Sequence, residues 1–357
     1  MAMFETRIER LRAKILEEGL DGLIVTGRKN REYLSGFTGS AGFLLVTAEE
    51  GVLATDFRYE EQAKAQSPHL EVYRYETPRD GLSRLVKTKK MGIVGFEAVH
   101  TSCWDLGEWE EDNPAITWRP MKGLVESLRL GKDEEEIRCI RQAARLTDKG
   151  FAHILQYLRP GVQEREIALE LEFFLRREGA EGVSFAPIVA SGPNSALPHA
   201  RPGERVLESG DFVVLDFGVI VDGYCSDLTR TVVIGEASDR QREIYGLVLR
   251  AQQYALEQVG PGKDVAAIDK GVREIFAAQG VAEHFGHGLG HGVGLEIHEG
   301  PTLSSRSTDE LRAGMVVTIE PGLYFPGWGG VRIEDLVLVT PQGMENLSSS
   351  PKDFLVL

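Results

Sequence analysis

Residues 211–235 read Asp211-Phe-Val-Val-Leu-Asp-Phe-Gly-Val-Ile-Val-Asp-Gly-Tyr-Cys-Ser-Asp-Leu-Thr-Arg-Thr-Val-Val-Ile-Gly235. Asp222-Gly223 at the centre is the strongest short hairpin signal, because both turn positions need positive φ. The flanks read as strands over 211–220 and 224–234. With a two-residue turn, paired positions sum to 445, so Asp216 faces Thr229 and Asp227 is its diagonal neighbour on the same face. Diagonal neighbours lie ~7–8 Å apart at the backbone, close enough for two carboxylates to converge on a cation. Asp216 interrupts a run that is otherwise apolar on both faces, and burying it costs several kcal/mol unless it is paired or metal-bound. A plainer alternative has Asp227 exposed in a turn and Asp216 salt-bridged to an arginine. Both readings fit the spacing.

A second pair follows the same arithmetic. Glu320 ends the strand-like run 315–320, and Glu334 lies in the run 331–339. A hairpin centred on Gly327 sets the two opposite each other, although Pro321 weakens unbroken pairing. Alternation puts Arg332 on the face of Glu334. A third element, Gly286-His-Gly-Leu-Gly-His-Gly-Val-Gly-Leu-Glu-Ile-His-Glu299, holds three of the eight histidines, His287, His291 and His298. Glycine at every second position from 286 to 294 excludes a helix there. It leaves a backbone that can approach a ligand closely while carrying imidazoles. The spacing matches neither a dinucleotide fingerprint, a phosphate loop nor a zinc-protease helix. Asp216-Phe217-Gly218 imitates the kinase metal triplet, but the other kinase segments are missing. Four carboxylates and one imidazole exceed the charge one dication needs. Paired cations sharing carboxylates fit better. One nitrogen among oxygens favours manganese, cobalt, zinc or iron over calcium or magnesium.

Further out, Asp133 before Glu134-Glu-Glu136 reads as a helix N-cap with an acidic first turn. Ile137, Ile140, Ala144, Thr147, Phe151, Ile154 and Leu158 then recur at helical spacing up to Arg159-Pro160-Gly161. A run of about three heptads suits a core helix better than a coiled-coil seam. Further helices fit 163–178, 240–259 and 264–279. Before the cap, a helical stripe (Phe4, Ile8, Leu11, Ile15) precedes apolar runs at 23–25, 43–46, 52–54 and 93–96. Nothing in that region clusters histidines or carboxylates at metal-ligand spacing. These patterns define an α/β domain over 1–128 and a mixed α+β domain over 129–357, in keeping with 357 residues at ~150 per domain.

Acidic residues outnumber basic ones, 55 to 40, for a net charge of −15, which argues against a basic nucleic-acid surface. No apolar stretch approaches the ~20 residues that span a bilayer. The charged N-terminal stretch lacks a signal core. Three scattered cysteines point to a reducing, cytoplasmic setting with no thiolate metal site.

Five stretches together resemble the metal-dependent proline peptidases, the family of aminopeptidase P and prolidase, which shares the pita-bread fold with methionine aminopeptidase. They are Leu-Asp-Phe-Gly (215–218), Cys-Ser-Asp-Leu-Thr-Arg-Thr (225–231), the glycine–histidine run through Pro301 (287–301), Thr-Ile-Glu-Pro-Gly-Leu-Tyr (318–324) and Val-Arg-Ile-Glu-Asp (331–335). The likeness spans residues 131–357, and the N-terminal part fits the creatinase-like domain of these peptidases more loosely. The resemblance implies five ligands to two divalent metal ions, manganese first and cobalt, zinc or iron next. Asp216 would hold one ion, His291 and Glu320 the other, and Asp227 and Glu334 would bridge. It implies that His287 and His298 contact substrate, and His199 in Leu-Pro-His-Ala (197–200) on weaker likeness, with Arg332 beside the bridging glutamate.

The implied reaction is attack on the carbonyl before proline by a water shared between the ions, with Glu320 as proton shuttle. The implied substrates are peptides with proline second, and the implied assembly is a homodimer. Thr302 stands where prolidases tend to carry an arginine, which favours an Xaa-Pro aminopeptidase over an Xaa-Pro dipeptidase. A non-catalytic binding module on the same scaffold would be expected to have lost ligands.

Overall fold

The computed structural model describes residues 2–357, which divide into one compact unit ending at Arg129 and another beginning at Leu130. The break falls one residue beyond the boundary expected from the sequence.

In the first unit, the four apolar runs become the strands Gly22–Val25, Phe43–Thr47, Gly51–Thr55 and Ile93–Glu97. Two further strands, Glu71–Arg74 and Thr117–Met121, extend the sheet to six at its edges. Pairing is mixed: Gly22–Val25, Phe43–Thr47 and Gly51–Thr55 run antiparallel in succession, and the other three pairings are parallel. Ile8, Leu11 and Ile15 bury the stripe of the first helix, Ala2–Glu17.

The second unit opens on the helix Glu134–Ile154. Asp133 caps it by accepting from the amides of Glu135 and Glu136, while Glu136 reaches back to the amide of Asp133. The α-helix ends earlier than its stripe foretells, and Leu155–Tyr157 form a 3₁₀ turn before Leu158. The other helices are Glu164–Arg177, Asp239–Gln258 and Val265–Ala277.

The hairpin around Asp222-Gly223 pairs in the expected register. Asp216 lies opposite Thr229, and Val221 opposite Tyr224. Both turn residues have positive φ, 49° and 80°. Neither arm is one continuous strand, however. Phe212–Phe217 and Leu228–Val233 belong to one sheet, Val219–Val221 and Tyr224–Cys225 to another.

The break is at Gly218, where an added Cβ would lie 1.8 Å from the Ser226 carbonyl oxygen. The Ser226 hydroxyl accepts from the Val219 amide at 3.0 Å in place of a backbone partner. Gly218→Ala is expected to destabilise the protein by about 3 kcal/mol through this overlap, read as a fall in the urea midpoint.

The second hairpin behaves alike. Gly322–Phe325 pairs with Gly329–Arg332, and Val316–Ile319 with Asp335–Thr340, both in the register centred on Gly327. Between them the ladder lapses at Glu320-Pro321 and Ile333-Glu334. Pro321 has no amide to donate. The Glu320 amide turns to the Leu289 carbonyl (2.9 Å) and the Glu334 amide to the Thr229 carbonyl (3.1 Å).

Each carboxylate pair therefore sits at or beside a point where a hairpin leaves one sheet for another. Val213, Leu215 and Phe217 pack into a core with helices 134–154 and 164–177, so alternation turns Asp216 to the other face. A second core joins helices 239–258 and 265–277 to Val317, Ile319, Val331 and Val337. Full burial of each such side chain contributes ~1.5–3 kcal/mol, which offsets the cost of the acidic groups between the two cores.

Candidate metal centre

Asp216, Asp227 and Glu334 are 8%, 6% and 2% exposed, so three carboxylates lie out of water together. Ligand atoms of Asp227, His291 and Glu334 all fall within 4.8 Å of one another. Glu320 joins through His291, with its Oε1 3.4 Å from Nε2, and Asp227 Oδ2 lies 3.5 Å from the same nitrogen. Asp216 stands one step aside. One of its oxygens accepts from Arg332 Nη2 at 2.5 Å. The salt bridge that the plainer reading foresaw is thus present, but it occupies only half of the carboxylate. Asp216 Oδ1 and Asp227 Oδ1 are buried without any hydrogen-bond partner.

The imidazole is oriented to complete this set. His291 Nδ1 faces the Gly292 carbonyl at 3.1 Å, and a carbonyl can only accept, so Nδ1 carries the ring proton and Nε2 is left with its lone pair. Burial pushes His291 down to about 4. A neutral lone pair faces two carboxyl oxygens 3.4–3.5 Å away, and a cation between them would satisfy all three.

The acids carry the mark of the same crowding. Burial, then the charges of Glu334 and Asp216, raises Asp227 well above the usual carboxylate range. Burial, then Glu320 and Asp216, does the same to Glu334. Glu320 is pushed up to about 7, by burial first. Stacked acids of this kind are at ease only when protonated or when cations lie among them.

Arg332, 3% exposed, organises the flank. Its Nε donates to Thr229 Oγ1 at 3.2 Å and its Nη1 to the Tyr324 hydroxyl at 2.8 Å. Thr229 Oγ1 in turn donates to Glu334 Oε2 at 2.6 Å. His287 Nδ1 faces the Gly288 carbonyl at 2.7 Å, so its Nε2 accepts from Tyr324 at 2.9 Å. Burial, aided by Arg332, holds His287 down to about 4, and burial lifts Tyr324 to about 12. His298 is exposed, its ring edge-on to His291 at 4.4 Å. His199 is exposed too, and its charge bears on His287.

Sequence reasoning gave Thr229 and Tyr324 no part. Both were reachable by register: Thr229 lies opposite Asp216, and Tyr324 is diagonal to Arg332 across the second hairpin. The first unit also corrects an expectation, because Glu97, His100 and Glu126 do approach within 4.8 Å. Glu97 and His100 are near neighbours in sequence, and distant Glu126 completes the cluster only in the fold. Glu97 is already held by the amides of Thr26 and Gly27 and by Asn30 Nδ2.

Comparison with known proteins gives the family of the chain. Residues 138–341 match metallopeptidase family M24, and residues 7–130 match the creatinase/prolidase N-terminal domain. The chain belongs to metallopeptidase family M24, and its second unit has the family's pita-bread fold. It is similar to a structure described as an Xaa-Pro dipeptidase from Bacillus anthracis, at 44% identity and TM-score 0.96, covering 99% of this chain and 100% of that one. The Xaa-Pro dipeptidase of Pyrococcus furiosus is 36% identical over 98% of this chain and 99% of its own. An X-Pro aminopeptidase structure from Thermotoga maritima is 38% identical, with TM-score 0.89, over 95% and 98%.

Proposed function

We propose that this metallopeptidase cleaves the bond before proline in Xaa-Pro dipeptides, using two divalent cations held by Asp216, Asp227, His291, Glu320 and Glu334. The observation that carries the metal part is the pair of buried, unpartnered oxygens, Asp216 Oδ1 and Asp227 Oδ1, beside the lone pair of His291. A donor set of carboxylates and one imidazole fits manganese first, and also cobalt, zinc or iron. In this reading Asp227 and Glu334 would serve both cations, Asp216 would hold one, and His291 with Glu320 would hold the other. Once bound, the cations supply Lewis acidity toward a carbonyl and toward water near neutral pH.

The protein's own groups do the rest. Glu320, its Oε1 3.4 Å from His291 Nε2, is placed to take a proton from the attacking water and release it to a leaving nitrogen. Arg332 donates to Asp216 Oδ2 and so fixes that carboxylate in place. Through the Tyr324 hydroxyl it also holds His287 neutral and in one orientation. His298 and His199, exposed beside this buried set, are placed to meet substrate. A bond to proline nitrogen has no amide hydrogen, so a peptidase built on metal rather than on gripping that hydrogen accepts it.

The dipeptide preference rests on the relatives described as Xaa-Pro dipeptidases, and it replaces the aminopeptidase preference drawn from Thr302. The aminopeptidase reading keeps two observations in its favour, the likeness to the Thermotoga maritima X-Pro aminopeptidase structure and Thr302, exposed on its strand with no charge of its own for a substrate carboxylate. Turnover of Ala-Pro against Ala-Pro-Ala by the Mn²⁺-loaded protein decides between them. An Xaa-Pro dipeptidase is expected to prefer the dipeptide by at least ~100-fold in kcat/KM. Release of alanine from the tripeptide at comparable rate would establish the aminopeptidase instead.

A cytoplasmic setting accords with three cysteines scattered along the sequence, and no helix among the described residues is long and apolar enough to cross a membrane. The homodimer rests on the family likeness.

A further inference from the structure

Arg230 and Asp335 lie in two of the motif stretches, yet neither has a part in the chemistry above. By alternation Arg230 projects from the face of its strand opposite to Thr229 and Asp216. Its guanidinium is almost wholly buried. It donates to the Glu334 carbonyl, to the carbonyls of Thr229 (3.0 Å), Ser350 (2.8 Å) and Pro351 (3.1 Å), and to Asp335 Oδ1 (2.8 Å). Asp335 is fully buried, and its Oδ2 accepts from Lys352 Nζ (2.5 Å), Gln252 Nε2 (2.9 Å) and Asn346 Nδ2 (2.8 Å).

The C-terminal segment that supplies these contacts is itself pinned. Asp148 accepts from the amides and hydroxyls of both Ser349 and Ser350. The Tyr245 hydroxyl donates to the carbonyls of Lys352 and Asp353. Leu355 and Leu357 pair with Val233.

Glu334 needs such support because it falls in the gap of its own ladder. Its amide bonds sideways to Thr229, its carboxylate takes the Thr229 hydroxyl, and its carbonyl is held by Arg230. We propose that Ser350–Lys352, acting through Arg230 and Asp335, form a latch that positions the Glu334 carboxylate for cation binding. The latch rests on the reading of Glu334 as a metal ligand. Lys352 matters because it supplies the second positive charge on Asp335. Without it, Gln252 and Asn346 still donate but Arg230 is the one positive charge left on that carboxylate, and it is drawn from the Glu334 carbonyl. A ligand whose supporting contacts are loosened binds its metal less well.

The test is titration of the metal-stripped full chain with Mn²⁺, with free ion followed by electron paramagnetic resonance. Lys352 reaches solvent, with 22% of its side chain exposed, so Lys352→Met removes the charge at the edge of the fold. The variant is expected to raise the apparent Mn²⁺ dissociation constant by about 10-fold or more, and Lys352→Arg to restore it. A folded Lys352→Met protein that binds Mn²⁺ like the unaltered chain overturns the latch. So does a loss of metal-free stability with no change in Mn²⁺ affinity, since that is the mark of a merely structural role. Should Lys352→Met fail to fold, Asn346→Ala removes another donor to the same oxygen from an exposed position, under the same criterion. Failure of the unaltered protein to bind Mn²⁺ at all would instead remove the ligand assignment, and the latch with it.

Discussion

Asp227→Asn is expected to lower kcat/KM roughly 10³-fold, about 4 kcal/mol of transition-state stabilisation, while making the metal-free protein more stable. The two effects share one cause. Asp227 is buried among like charges, its Oδ1 unpartnered, and burial with Glu334 and Asp216 raises it well above the carboxylate range. Asparagine keeps the shape and removes the charge. Without metal, that relieves repulsion by about 1–3 kcal/mol. With metal, a shared carboxylate is lost and the cations are held less well. Thermal unfolding in chelator and in excess Mn²⁺, beside Ala-Pro turnover, reads both. If Asp227 only stabilised the fold, the variant would melt lower in chelator and keep its response to Mn²⁺. That pattern sinks the proposed role.

The two hairpins show how far residue patterns carry. Asp222-Gly223 and Gly327 set the registers correctly, because turn chemistry and a period of two leave few alternatives. From those registers alone, Asp216 meets Thr229 and shares a face with Asp227. The sheet breaks beside them were not legible. They depend on Ser226 closing against Gly218, and on Leu289 and Thr229 offering carbonyls to Glu320 and Glu334 from distant parts of the chain. The edge strands Glu71–Arg74 and Thr117–Met121 were missed for a different reason. None of their residues is fully buried, and one strand carries Pro120, so neither shows the apolar run of a central strand. Arg230 and Asp335 could be seen in the motifs, but their purpose could not, since it lies in what the last residues of the chain bring to them. The helix stripe misled at its end because burial continues into Leu158 after the α-helical hydrogen bonding has stopped.

Removal of metal is expected to make stability fall as pH rises above about 6.5, and Mn²⁺ to restore most where the fall is greatest. Two sets of groups oppose each other below that point. His287 and His291 are held down to about 4, so between there and their ordinary 6.5 the unfolded chain binds more protons and stability rises with pH. Glu320 is raised from 4.5 to about 7, and Asp227 and Glu334 lie well above their ordinary values, so from about 4.5 upward the folded chain binds more protons and stability falls. Above 6.5 the histidines contribute no further slope and only the acids remain. Glu320 alone accounts for ~3 kcal/mol once deprotonated, and Asp227 and Glu334, raised in the same direction, add to the decline. Cations bind the deprotonated acids, so their affinity, and with it their stabilising effect, grows over the same range. The melting-temperature gap between Mn²⁺-loaded and chelator-treated protein should therefore widen by several degrees from pH 6.5 to 8. A gap that stays level or narrows over that window means that the buried acids are not the groups the metal neutralises.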